Sequence, residues 1–130
     1  MNAIELINES SDAFVGKGAS DAEIWRAEEK LQLTFADDYK NYLRTFGAVM
    51  LNGHELSGIS KAKQMDVVEL TASKRKYINC ISPELYVLED CGIDDIVIWQ
   101  DSKGIVYETQ NGKQKKKKNS LAEYIEEIVL

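Results

Sequence analysis

One histidine, His54, stands in the whole chain, and that scarcity excludes a multi-histidine metal site at once. Any Ser-His-Asp or Cys-His site would have to use this residue, and no G-x-S-x-G elbow accompanies it. The two cysteines, Cys80 and Cys91, are too few for a disulfide framework and lack paired zinc or redox spacing. They read as reduced structural thiols. A single proline and eight glycines in 130 residues leave no long disordered linker, so residues 1–130 read as one domain. No apolar run approaches the ~20 residues of a membrane span. The opening MNAIELINESSDAF carries acids where a secretion signal carries bases. The expectation is a cytoplasmic protein without a membrane partner.

Sixteen basic against 22 acidic residues give a net charge of −6. Four of the bases are the run Lys115 to Lys118; without it, 12 bases face 22 acids, or −10. Such a body repels nucleic-acid phosphates and favours a basic partner.

Along the chain, residues 3–14 place Ile4, Ile7 and Phe14 on one side of an expected first helix, ended by Gly16 and Gly18. Ser20-Asp21-Ala22-Glu23 is a capping box opening a helix to about Leu31, with Ile24, Ala27, Glu28 and Leu31 on its stripe. Glu28, a carboxylate among apolar residues, is expected to meet a neighbouring helix end or an arginine such as Arg44; the alternative is a binding-site acid. Asp37 and Asp38 start a third helix, whose face is Tyr39, Tyr42, Leu43 and Phe46, and Gly47 follows its last turn. Asn52-Gly53 signals a hairpin between Ala48–Leu51 and His54–Ile59, with His54 a structural passenger beside the turn.

Residues 66–77 fit a short helix with Lys74-Arg75-Lys76 at its C-terminal end. Leu85–Leu88, Ile96–Trp99 and Ile105–Thr109 read as strands, the second apolar on both faces and therefore covered on both. Asn111-Gly112 turns the chain into a lysine-rich edge strand. Ser120-Leu121-Ala122-Glu123, a second capping box, opens a closing helix with Leu121, Tyr124, Ile125 and Ile128 inward. The fold class is α+β: N-terminal helices, a mainly antiparallel sheet of about 4–6 strands, and a C-terminal helix.

Catalytic signals are absent. No nucleotide-binding glycine loop or calcium loop is present, and the adjacent pairs Asp37-Asp38, Asp94-Asp95 and Glu126-Glu127 do not face each other on a helix or strand. The expectation is no enzyme, no catalytic or metal-ligating residue and no cofactor. What stands out is Glu84 to Glu108, with seven acids and one base, Lys103. Glu84, Glu89, Asp90, Asp94, Asp95 and Asp101 flank the aromatics Tyr86, Trp99 and Tyr107, which suggests a surface for a basic protein. The plainer account makes the aromatics core and the acids solvated loops. The lysine run lacks interleaved aromatics and reads as a solvated edge.

In combination, G-A-S-D-A-E-I-W-R-A-E-E-K-L-Q (residues 18–32), F-A-D-D-Y-K-N-Y-L-R-T-F-G (35–47) and L-S-G-I (56–59) resemble the SUKH superfamily. Ile24, Glu28, Leu31, Asp38-Tyr39-Lys40, Leu43 and Phe46-Gly47 match its pattern, and Leu88-Glu89-Asp90-Cys91-Gly92 resembles its acidic loop. Phe35-Ala36 replaces the usual leucine-proline, and Gly47-Ala48-Val49 the usual asparagine-glycine-glycine. The resemblance implies a non-enzymatic bacterial immunity protein that binds a cognate polymorphic toxin, commonly a nuclease-type domain, and blocks it sterically. The alternative is a cytosolic regulatory scaffold. Oligomeric state is left open.

Overall fold

A computed structural model describes residues 1–78 and 81–130. Cys80 therefore lies outside the described residues. Among them are five α-helices and two antiparallel sheets, in the α+β order the sequence predicts.

Helix α1 (Ala3–Glu9) starts at Asn2, whose side chain accepts from Glu5 N while Glu5 reaches back to Asn2 N. This reciprocal pair satisfies two otherwise orphan donors. The helix stops at Glu9, five residues short of the expected Phe14, because Ser10-Ser11-Asp12 turns the chain: Ser10 is extended and its hydroxyl accepts from Asp12 N at 3.3 Å. Phe14 then joins strand β1 (Ala13–Val15) and is 71% exposed instead of lying in the core.

Helix α2 (Asp21–Leu31) carries the full Ser20–Glu23 capping box, and α3 (Asp37–Phe46) ends at Gly47, φ +74°, whose N–H donates to Leu43 O. Strands β2 (Val49–Leu51) and β3 (His54–Leu56) form the expected hairpin about Asn52-Gly53, and β1 pairs with β2 to complete a three-stranded sheet. Helix α4 (Val67–Tyr77) has Asp66 as its N-cap, accepting from Glu69 N. The second sheet is a meander of β4 (Tyr86–Asp90), β5 (Val97–Gln100), β6 (Val106–Gln110) and β7 (Lys113–Lys118). Ser57 N donates to Leu88 O at 2.7 Å, so the end of β3 meets β4 and the two sheets abut.

Helix α5 (Leu121–Val129) is only half boxed. Ser120 Oγ accepts from Glu123 N, but the Glu123 carboxylate takes Asn119 N rather than Ser120 N. Ser120 has φ −159° against −76° for Ser20, and this fully extended backbone orients its N–H differently.

The four-stranded sheet is covered on both faces. Tyr86, Leu88, Ile98 and Val106 pack in the main core with Ile24, Leu31, Phe35, Leu43 and the α5 stripe. Val87, Val97 and Trp99 pack with Leu70 of α4 on the other face. The main core contains a polar seam: Tyr39 OH meets Ser57 Oγ, which donates to Val87 O, and Tyr42 OH donates to Ser57 O. Tyr86 OH donates to Gln100 Oε1 and accepts from Ala36 N. Burial pushes these three phenols above their ordinary range, so they stay protonated and able to donate.

Candidate functional site

Antiparallel connectivity sends three turns to one end of the sheets: Asn52-Gly53, the β4–β5 loop Gly92–Asp95, and Asn111-Gly112. Two contacts tie these tips together. His54 Nδ1 lies 2.8 Å from Glu89 Oε2, and Gln110 Nε2 donates to Asp94 O at 3.2 Å. The backbone of all three is left-handed at Asn52, Gly53, Gly92, Asp94, Asp95, Asn111 and Gly112. Asparagine, aspartate and glycine tolerate that region best, which explains their concentration here.

The β4–β5 loop is closed by Cys91 N donating to Ile96 O and Ile96 N to Ile93 O. Its tip presents Ile93, 66% exposed, beside the exposed carboxylates Asp94 and Asp95. Asp90 stands at the same end and is paired with Lys74 Nζ at 3.0 Å. An exposed apolar side chain next to two free carboxylates is a suitable anchor for a basic protein surface. Nothing in the composition of the loop had singled out Ile93; its position between Gly92 and two aspartates was the available signal.

The remaining three acids go elsewhere. Glu84 is exposed at the opposite end of the sheet, where Asp101 is committed to its own turn, accepting from Lys103 N, Ile105 N and Tyr107 OH. Glu89 is not on the surface at all, being 4% exposed. The register shifts between Val87 and Glu89, so Leu88 and Glu89 both face the main core, Glu89 opposite Ile98. There the carboxylate accepts from Tyr124 OH and faces His54. Burial, then the Glu89 charge, pushes the Tyr124 phenol far above its usual range. Tyr86 and Trp99 are fully buried and Tyr107 partly so, which makes the aromatics core rather than surface anchors.

His54 is half-buried and holds Glu89, as a structural histidine does. The Cys91 thiol is pushed up to about 12 by burial and by Glu89, Asp90 and Glu108, the opposite of an activated nucleophile. Among the described residues no three His, Cys, Asp or Glu side chains converge as metal ligands. No described helix is long and apolar enough to cross a membrane.

Glu28 accepts from Phe35 N at 2.9 Å and pairs with Lys40 at 3.5 Å. The carboxylate thus caps the approach to α3, while Arg44 pairs with Asp21 instead. Asp38 joins three elements, accepting from Gln100 Nε2 and from Leu121 N at the start of α5. Ile24, Leu31, Tyr39, Leu43 and Phe46 are core, and Phe35 packs edge-on against Tyr39 and Tyr86. These motif residues hold the architecture, and none of them lies at the loop tips.

Fold and site together define an α+β domain whose motif residues are structural and whose exposed end is built from hairpin tips. The SUKH_5 family model, described as SMI1-KNR4 cell-wall, matches residues 1–130, and the chain belongs to this family of the SUKH superfamily. No curated protein matches the chain.

Proposed function

We propose that this chain is a cytoplasmic immunity protein that binds a cognate polymorphic toxin and neutralises it sterically, without catalysis. The observation that carries the reading is exposed Ile93 beside the carboxylates of Asp94 and Asp95, free among the described residues, with the Lys74-paired Asp90 at the same end of a domain of this family. A net charge of −6 steers a basic partner toward it, and a nuclease-type domain, whose active site binds phosphates, is such a partner. Blocking requires only that the tips occupy or overhang the toxin's active site.

The family description also favours a second reading, a regulatory scaffold for a host protein. Co-expression with toxic domains of the nuclease type, beginning with any encoded next to this chain, separates the two. The immunity reading expects restored growth and a co-purifying complex. Neither growth nor complex would overturn it in favour of the scaffold.

A further inference from the structure

Among the described residues strand β1 pairs only with β2 and strand β7 only with β6, so each sheet has one outer edge that no other strand covers, while β3 and β4 abut. Open edges template pairing with other chains unless they are guarded. Edge β7 is guarded by Lys113 and Lys115 to Lys118. Edge β1 is Ala13-Phe14-Val15, with no charge. Phe14 is 71% and Val15 53% exposed, and Met50, opposite Phe14 on β2, is 42% exposed.

The hydrogen-bond phase of β1 decides what can add to it. Gly16 N donates to Ala48 O and Asn52 N to Asp12 O, so even-numbered residues bond to β2. The N–H and C=O groups of Ala13 and Val15 therefore point out of the sheet. We infer that two copies of this chain associate through antiparallel β1–β1 pairing about a two-fold axis at Phe14.

In this register Ala13 lies opposite Val15 of the second copy, and the two equivalent pairs form four main-chain hydrogen bonds. Phe14 faces its own copy in the close, non-hydrogen-bonded position, where cross-strand aromatic pairs are favourable. Ser11 falls opposite Lys17, and Asp12 opposite Gly16, so no like charges meet. The same operation on β7 sets lysine against lysine. An uncharged edge also does not select a basic partner, which separates this surface from the loop tips. A three-residue edge between two chains of net charge −6 makes a weak dimer, with a Kd on the order of 100 µM, tightened by salt.

Sedimentation of the purified chain from about 10 µM to about 1 mM, at about 0.05 and 0.5 M NaCl, tests this. The average mass should rise toward two chains with concentration, and further at high salt. Phe14→Lys, which opposes two lysines, and Val15→Pro, which removes two of the four bonds, should each weaken association at least about ten-fold. Far-UV circular dichroism confirms that each variant is folded, and Lys116→Glu on β7 should associate as the parent does. A monomer at every concentration, a dimer unaffected by both β1 variants, or one weakened by salt would overturn the inference.

Discussion

The Glu89 carboxylate faces His54 Nδ1 at 2.8 Å through one oxygen and accepts from Tyr124 OH through the other. Three elements, β3, β4 and α5, are thereby joined through one buried acid. A buried carboxylate is tolerated only with partners. Removing one should cost far more than removing a surface pair. Tyr124→Phe is expected to lower stability by about 1–3 kcal/mol in urea denaturation, and Glu89→Ala by more, since it also leaves a void. In a double-mutant cycle the two sites should couple by at least about 0.5 kcal/mol. A loss below that for Tyr124→Phe would show the network to be dispensable.

Gly58 and Gly112 should respond differently to alanine. A Cβ on Gly58 would lie 1.6 Å from Gly47 O, inside the join between α3 and the sheets. A Cβ on Gly112 meets open space, and only its φ of +79° resists substitution. Gly58→Ala should therefore cost about 3 kcal/mol or prevent folding, and Gly112→Ala about 1 kcal/mol. Equal costs in thermal unfolding would contradict the close backbone approach.

The sequence made much of this architecture legible, for physical reasons. Helices α2 and α5 announce themselves through capping serines, α3 through the acids Asp37 and Asp38 in its first turn, and all three through stripes at helical spacing. Both Asn-Gly turns mark hairpins because few other residues accept their backbone. What stayed hidden depended on distant partners. Phe14 continues a helical pattern locally, yet pairs with Met50 once Ser10–Asp12 turns the chain. Glu89 reads as a loop acid, but the bulge at Leu88 turns it inward toward partners 35 residues away in each direction. Strand periodicity alone does not place a bulge. The six acids accordingly divided between two ends and the core.

Cys91 should react slowly. Its thiol is pushed up to about 12, first by burial and then by the neighbouring carboxylates, so at pH 8 very little of it is thiolate. In a Cys80→Ser background, alkylation of the native chain should be roughly 30-fold slower than in urea, the scarcity of thiolate being partly offset by its greater nucleophilicity. Unfolding returns the thiol to its ordinary value near 9.0. The stabilising contribution is thus complete below that value and lost as pH rises toward 12. Equal rates in buffer and urea would contradict this.

The lysines of β7 should govern solubility more than stability. Lys115 and Lys117 pair with Glu108, and Lys117 and Lys118 with Glu127 on α5, whereas Lys113 and Lys116 are exposed. Replacing Lys113 and Lys116 by valine should leave the urea midpoint nearly unchanged and speed aggregation on heating, followed by light scattering. Unchanged aggregation would remove the guarding role.

Calorimetric titration of the chain into a toxin it neutralises, at low and high salt, decides whether the hairpin tips are the binding surface. Asp94→Asn with Asp95→Asn keeps residues that tolerate the left-handed backbone (φ 51° and 58°) while removing two charges from the tip. Glu84→Gln removes one charge at the opposite end. The complex should be weakened about ten-fold or more by the tip pair, most clearly at low salt, and unaffected by Glu84→Gln. Full affinity in the tip variant, or a loss confined to Glu84→Gln, would place the interface away from the hairpin tips.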